Sequence, residues 1–260
     1  LTDPLLDRTL DPWSNRGVTS TTPWQQGLAE DHPSSGTRSA CVVAMIPIAW
    51  HLMYRLENGQ VLASTPGERR ILVNTVLQFA PEFGIFLYSA PDTHLHVAAA
   101  CDRGRAGDLA RRLANALHYA LAVRVRFERT RIVAIEDQRH LSNLPAYILG
   151  NAKRHGCAGD TVLEATNLPD ILGLRVVDRT TGPLLHRMLP RLRRADLLAH
   201  LEVDDLVAGR DLDHLAEAAA SAVAEPILAT RSPRSLEAKA AAVQVARRLG
   251  VRTGELSARL

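Results

Sequence analysis

The residues best suited to chemistry are two histidines and a tyrosine–asparagine pair. His94 and His96 flank Leu95 in the segment DTHLHV. Because side chains alternate between the two faces of a strand, a strand here puts both imidazoles on one face, about 7 Å apart, where both can ligate one metal ion. The pair alone also fits two core histidines, since histidine is commonly found partly buried.

The second pair, Tyr147 and Asn151, lies in an apolar stretch with helical spacing. A separation of four residues places the phenol and the carboxamide on one helical face. A tyrosine beside a metal ion can attack a phosphodiester and form a covalent phosphotyrosine, while the amide oxygen completes the coordination shell of the ion. Taken by itself, Tyr147 also fits the ordinary role of a core or surface aromatic.

The periodicity of apolar residues predicts the elements that position these four side chains. Strands are predicted at 41–56, 85–90, 94–100 and 123–136, the last as one strand or two, and helices at 66–84, 105–122 and 137–156. Pro47 indicates a bulge or an edge in the first strand, and Pro145 predicts a kink or a restart in the last helix. The order predicts an α+β fold of the ferredoxin-like or RRM-like kind: an antiparallel sheet with helices on one face and the other face free for a ligand.

Composition narrows the class of protein. The chain has 260 residues and a net charge of +3, which suits a globular protein with a polyanionic partner. Its three cysteines, Cys41, Cys101 and Cys157, lack the spacing of a zinc site or a disulfide framework, which favours a reducing cytoplasm. No apolar stretch approaches the roughly 20 residues that span a bilayer, and the first residues lack the features of a signal peptide. We therefore expect a soluble cytoplasmic protein without a membrane partner.

Several segments, taken in order, resemble the single-tyrosine HUH endonucleases. They are WHLMYRLENG, DTHLH, RGRAGDLARRLANALHYAL, RTRIVAIEDQRHL and YILGNAKRHG, which together span about residues 40 to 157. The chain is most similar to the REP-associated tyrosine transposases of the insertion-sequence transposase superfamily. The resemblance implies that His94, His96 and Asn151 bind a divalent ion, Mg²⁺ or Mn²⁺, and that Tyr147 is the nucleophile.

The function implied by this resemblance is that of a metal-dependent single-strand DNA endonuclease or transposase. Such an enzyme nicks and rejoins single-stranded or hairpin DNA through a 5′-phosphotyrosine intermediate, and relatives of this kind are often homodimers. The alternative is a domesticated DNA-binding regulator that has the same fold and performs no chemistry.

Six arginines are candidates for DNA contacts. Two follow the histidine strand on a predicted helix, and four alternate with apolar residues along the last predicted strand: Arg111, Arg112, Arg124, Arg126, Arg129 and Arg131. Such a row can form a track for the backbone of single-stranded DNA. The alternative is a solvated charged face without a ligand.

The predicted organisation has four parts. Residues 1–39, rich in Pro, Ser, Thr and Gly, read as a disordered leader, and 40–157 as the HUH nuclease domain. Residues 158–230 read as a helical accessory region. Residues 231–260 contain an alanine-rich helix and a break at LGVRTG, which predict part of a helix-turn-helix.

Overall fold

A four-stranded antiparallel sheet carries the histidine motif in the computed structural model, which describes residues 46–157, 164–175, 177–200, 212–228, 231–248 and 250. The strands are β1 (Ala49–Arg55), β2 (Ile85–Ser89), β3 (His94–Ala99) and β4 (Arg131–Ile135). They lie in the order β2-β3-β1-β4. The α+β class and the antiparallel sheet predicted from the sequence are confirmed.

Helices connect and follow the strands. In chain order, those of the described residues are α1 (Pro66–Phe83), α2 (Arg103–Ala120), α3 (Gln138–Leu149), α4 (Asn151–Arg154), α5 (Leu168–Ile171), α6 (Thr181–Met188), α7 (Arg194–Leu198), α8 (Leu212–Val223) and α9 (Pro233–Arg248). Among these residues, no helix is both long and apolar enough to cross a membrane.

Local sequence signals explain where the first helix begins and ends. The Thr65 hydroxyl accepts a hydrogen bond from the Glu68 amide, and the Glu68 carboxylate accepts one from the Thr65 amide, which forms a capping box. The helix ends at Gly84, whose φ of +64° suits glycine best. A Cβ at this position would also lie 2.8 Å from the carbonyl oxygen of Ala100, so the tight connection into β2 requires glycine.

One face of the sheet packs against α1 and α2. Alternate residues of the central strands point to this face, and their partners come from the apolar sides of the two helices. The fully buried side chains of this cluster include Leu52, Tyr54, Leu95, Val97, Leu72, Val76, Leu109 and Leu113. Burying one such side chain contributes about 1.5–3 kcal/mol. This cluster contains more buried residues than the cluster on the opposite face, so it forms the larger part of the core.

The opposite face is also covered, so the prediction of helices on one face only is wrong. Helix α3 packs there, together with residues of α5, α6 and α7. The buried cluster includes Phe86, Leu87, Ala98, Ile135, Leu141, Leu144, Ile148, Leu168 and Leu185. These helices have leucine-rich sides whose burial is favourable. These sides pack against the apolar half of the second sheet face.

Other predicted boundaries need correction. Only Arg131–Ile135 of the segment 123–136 forms a strand, and Phe127 makes an isolated bridge with Leu56. The last predicted helix is divided at Gly150 into α3 and α4, whereas Pro145 lies inside α3 without ending it. Pro47 precedes β1, which is a central strand, so it marks neither a bulge nor an edge.

The outer edge of β2 is bonded to the segment that precedes α5. The side-chain amide of Asn167 donates to the carbonyl of Phe86 and accepts from the amide of Tyr88, both at 3.1 Å. The backbone amide of Ala90 donates to the carbonyl of Ala165 at 2.8 Å. This segment therefore satisfies backbone groups that a fifth strand would otherwise bind.

The C-terminal helices α8 and α9 pack against each other through small apolar residues. Helix α8 is also fixed to α1, because the Arg70 guanidinium lies 2.7 Å from the Glu217 carboxylate and donates to the Ser221 hydroxyl at 3.2 Å. The predicted leader at 1–39, and the residues after the break in the predicted helix-turn-helix, lie outside the described residues.

Candidate active site

The register of β1 and β3 brings three histidines to one end of the second sheet face. His94 and His96 alternate with Leu95, which is buried on the α1 and α2 side. In β1, Met53 pairs with His96, and residues directly paired in an antiparallel sheet point to the same side. His51, two residues before Met53, therefore shares this face with the two motif histidines.

His96 lies at the centre of the group and is fully buried. Its Nδ1 is 2.9 Å from Nε2 of His51, and its Nε2 is 2.6 Å from the side-chain amide nitrogen of Asn151. Because an amide nitrogen only donates, Nε2 of His96 accepts, and the ring proton is on Nδ1, which donates to His51. This tautomer keeps a lone pair on Nε2, as a metal ligand requires.

His94 stands edge-on to His96, with the ring centroids 4.5 Å apart and the planes at 81°. The side chain is buried, and its Nδ1 lies 3.2 Å from the hydroxyl oxygen of Thr93. An Nδ1–H donated to this hydroxyl makes Nε2 the ligating nitrogen of His94, as in His96.

Tyr147 faces the histidines from α3. Its ring centroid is 5.5 Å from that of His96 and 5.8 Å from that of His51, in both cases with the planes at 81°. The Arg154 guanidinium lies over the tyrosine ring, 5.3 Å from the centroid, which is a cation–π distance. The structure thus brings together His94, His96, Tyr147 and Asn151, the four residues selected from the sequence.

Gly150 separates the tyrosine from the asparagine. It ends α3, and the buried Asn151 begins α4. A Cβ at position 150 would lie 2.6 Å from the carbonyl oxygen of Ala146, a contact that only glycine avoids. The close turn at Gly150 therefore sets the position of Asn151 relative to Tyr147.

Two histidines of the group were not selected from the sequence. His51 was missed because its partner strand is distant in the chain. His155 lies 5.0 Å from His94 between ring centroids, with its Nδ1 3.9 Å from the Asp92 carboxylate. A signal for His155 was present, since it extends the spacing of Tyr147 and Asn151 by four more residues.

Burial keeps the central imidazoles neutral. It lowers the pKa of His51 to about 4, with smaller contributions from His140, Arg131 and His94. Burial likewise holds the pKa of His96 well below its usual value, reinforced by the neighbouring histidines and by Arg154. Both rings are therefore uncharged at neutral pH, which is the state that can accept a metal ion.

Three of the six candidate arginines line a groove of about 530 Å³ between α2 and residues 126–132. One wall is the side of α2 on which Arg111, Asn115 and His118 recur at helical spacing. Arg126 and Arg129 lie on the facing segment, and both are exposed. The groove thus combines cationic side chains from two walls, although Arg111 also forms an ion pair of 2.7 Å with Asp108.

The other three arginines are dispersed. Arg112 is engaged in ion pairs with Glu82 at 2.5 Å and with Asp108 at 3.3 Å. Arg131 begins β4 and pairs with Met53, so it shares the face of the histidines, whereas Arg124 is exposed in the loop before β4. The prediction that these arginines alternate along one strand is therefore wrong, because residues 124–129 lie outside β4.

The side chains that the resemblance implies as ligands are of types that can bind a divalent ion. In the described ranges, no three His, Cys, Asp or Glu side chains are arranged to hold an ion by themselves. The proposed set instead contains two imidazoles and an amide. Two donors bound to one ion at a right angle lie about 3.0 Å apart, given bonds of about 2.1 Å. Nε2 of His96 and the side-chain nitrogen of Asn151 are 2.6 Å apart. Binding one ion would increase this separation by only a few tenths of an ångström, with the amide oxygen turned toward the ion.

Comparisons with known proteins give no relative for this chain. No protein-family model, curated protein or solved structure matches it significantly.

Proposed function

We propose that this chain is a metal-dependent single-strand DNA endonuclease that forms a phosphotyrosine intermediate. The observation that carries the proposal is the convergence of Tyr147 and Asn151 on the histidine pair, from helices that follow the sheet. The chain order β1-α1-β2-β3-α2-β4 with the sheet order β2-β3-β1-β4 supports a ferredoxin-like domain of the HUH kind.

In the proposed reaction, the hydroxyl oxygen of Tyr147 attacks the phosphorus of a DNA phosphodiester. A bond forms between the tyrosine oxygen and phosphorus, and the bond from phosphorus to the 3′-oxygen breaks. The tyrosine loses its proton, and the departing 3′-oxygen gains one. The products are a 5′-phosphotyrosyl link and a free 3′-hydroxyl, and attack on this link by a 3′-hydroxyl rejoins the strand and restores the tyrosine.

His94, His96 and Asn151 would hold Mg²⁺ or Mn²⁺. The bound ion would supply Lewis-acid polarisation of the phosphate. All three ligands are neutral, so they leave the positive charge of the ion available to the phosphodiester. Mg²⁺ strongly prefers oxygen ligands, and two imidazoles therefore favour Mn²⁺ of the two.

The arginines give the substrate two further contacts in this proposal. Arg131 lies on the face of the histidines, where it can meet the phosphates next to the scissile bond. The groove lined by Arg111, Arg126 and Arg129 presents cationic side chains on two walls and would bind a more distant part of a single-stranded or hairpin DNA. We propose a cytoplasmic protein, acting as a monomer or a homodimer.

The test is adduct formation with a 5′-labelled and a 3′-labelled hairpin oligonucleotide in the presence of Mn²⁺, resolved on denaturing gels. We expect wild-type protein to retain the label on the 3′ side of the nick covalently, and the Tyr147→Phe variant to retain none. Tyr119→Phe is the matched control, because Tyr119 is 81% exposed at the end of α2 and should leave the adduct unchanged.

The domesticated regulator makes a different prediction for the same assay. It would bind the hairpin in a native gel and form no adduct with any oligonucleotide. An adduct that persists in Tyr147→Phe would contradict the assignment of Tyr147 as the nucleophile.

A further inference from the structure

We propose that His51 is a positioning residue that fixes the tautomer of His96 and so keeps Nε2 of His96 available as a metal ligand. The inference rests on the proposed function, because it concerns the ion that His94, His96 and Asn151 would hold. It adds a residue of β1 to the ligands and the nucleophile that the resemblance implies.

The geometry of the two rings supports a directed hydrogen bond. Nε2 of His51 lies 2.9 Å from Nδ1 of His96, and the ring planes differ by only 22°. Because the ring centroids are 5.1 Å apart, both nitrogens lie close to the line that joins the centroids. A hydrogen atom between these nitrogens therefore lies near the plane of both rings, where the acceptor lone pair points. Both residues belong to the two central strands of the sheet, so their backbones are held on both sides.

The direction of this bond decides whether His96 can bind a metal. If Nδ1 of His96 donates, then Nε2 has a lone pair. If His51 donates instead, the proton of neutral His96 is on Nε2, which cannot ligate. In the metal-free protein the amide nitrogen of Asn151, 2.6 Å from Nε2, donates in agreement with the first arrangement. The amide can turn and accept a proton from Nε2 once no acceptor at position 51 holds the proton on Nδ1.

The role of His51 becomes larger when an ion binds. Ligation by the amide oxygen of Asn151 requires its side chain to turn, and the amide nitrogen then no longer donates to His96. Ligation through Nε2 leaves the ring proton on Nδ1, and His51 is the acceptor that stabilises this proton there. Partners of this kind on metal-bound histidines commonly change metal affinity by about 10- to 100-fold when they are removed.

The test compares two substitutions of His51. Glu places an acceptor that never donates when ionised near the position of Nε2, whereas Leu has a similar size and no hydrogen-bonding atom. Long-range ¹H–¹⁵N NMR of the imidazole of His96 reports its tautomer in the metal-free protein, and Mn²⁺ affinity is measured by electron paramagnetic resonance. Circular dichroism and thermal unfolding verify that both variants fold.

We expect His96 to be protonated on Nδ1 in wild type and in His51→Glu, with Mn²⁺ affinities within about threefold of each other. In His51→Leu we expect a mixture of tautomers and a Mn²⁺ affinity at least about tenfold lower. A His96 protonated on Nε2 in wild type, or a folded His51→Leu that binds Mn²⁺ as wild type does, overturns the inference.

These readouts separate the inference from the proposed function. Should wild type bind Mn²⁺ through His96 in a manner dependent on His51 and yet form no DNA adduct, the nuclease proposal fails and the role of His51 stands. Should the adduct form while His51→Leu changes neither the tautomer nor the affinity, the role of His51 alone fails.

Discussion

The two faces of the sheet are built from alternate residues of the same strands, yet they bury different chemistry. In β3, Leu95 and Val97 point to the face covered by α1 and α2, where hydrophobic side chains form the cluster and the buried Tyr54 hydroxyl donates to the Leu109 carbonyl. His94 and His96 point to the other face, where apolar packing is limited to the half next to Ala98. A single strand thus serves both stability and the candidate site.

The difference shows that polar groups buried on part of a sheet face require hydrogen-bond partners. Each imidazole nitrogen or amide left there without a partner would cost about 1–3 kcal/mol. His96 meets this requirement with His51 on one side and Asn151 on the other. The apolar face depends mainly on close packing, whereas the histidine face depends on hydrogen-bond partners at defined distances. Substitutions on the two faces should therefore have different effects.

The largest effect is expected on the apolar face. Leu95→Ala removes a fully buried side chain and leaves a cavity, so we expect the free energy of unfolding to fall by about 3–4 kcal/mol. Urea denaturation measures the change. The remaining folded protein should still form the DNA adduct, because the histidine face is unaltered.

The counterpart on the histidine face is Tyr147→Phe, which keeps the ring and removes only the hydroxyl. Its unfolding free energy should stay within about 1 kcal/mol of wild type while the adduct disappears. If Tyr147→Phe proved as destabilising as Leu95→Ala, the division between a stabilising and a chemical face would be wrong.

The next largest effect is expected from acid, which should lower the stability of the protein through the histidine face. His51 has an ordinary pKa near 6.5 in the unfolded chain and about 4 in the folded one. As pH falls from 6.5 to 4, the unfolded chain binds a proton that the folded one does not, and stability falls by on the order of 2–3 kcal/mol. Urea denaturation at several pH values measures this slope, which should be shallower in His51→Gln; an equal slope in that variant would assign the proton to another group.

Gly150→Ala is expected to disturb the helix break by about 1–3 kcal/mol, because the new Cβ must displace the carbonyl of Ala146. Asn151 should shift with it, so Mn²⁺ affinity should fall as well. Thermal unfolding and Mn²⁺ titration measure the two effects.

Gly107→Ala is the matched control, since a Cβ at that position of α2 meets no atom within 4 Å. It should be neutral or stabilising by about 0.5–1 kcal/mol, as alanine is a better helix former than glycine. Equal losses from both substitutions would show that Gly150 has no special role.

The smallest effect is expected in the groove. Arg126→Gln and Arg129→Gln should each weaken binding of single-stranded DNA and lower the slope of log affinity against log salt by about 0.7. Arg112→Gln should change the slope less, because its guanidinium is already paired with Glu82 and Asp108. Fluorescence anisotropy at several salt concentrations measures the slopes, and a larger effect at Arg112 would exclude the groove as the binding surface.

Much of the element order was predictable, because periodicity is a local property. The strand at His94 and the helix that begins after Asp102 follow from alternation and from helical spacing, and both lie within two residues of their predicted bounds. The strand before α3 was predicted too long because arginine alternates with valine from Val123 onward. Alternation does not reveal that residues 123–130 make only an isolated bridge, between Phe127 and Leu56, and that the strand itself begins at Arg131.

The candidate site was predictable in part for the same reason. His94 with His96, and Tyr147 with Asn151, are each related by a local spacing. His51 joins them only through the register of β1 against β3, which depends on contacts between residues more than 40 positions apart. The apolar side of α3 was also visible, but its sequence does not state which face of the sheet it covers.

The covered edge of β2 limits where a further strand can pair with the sheet. Asn167 and Ala165 already occupy backbone groups of Phe86, Tyr88 and Ala90, so a strand from another molecule finds those groups taken. Within the described residues, β4 is the other outer strand of the sheet, so a further strand would pair there and not along β2.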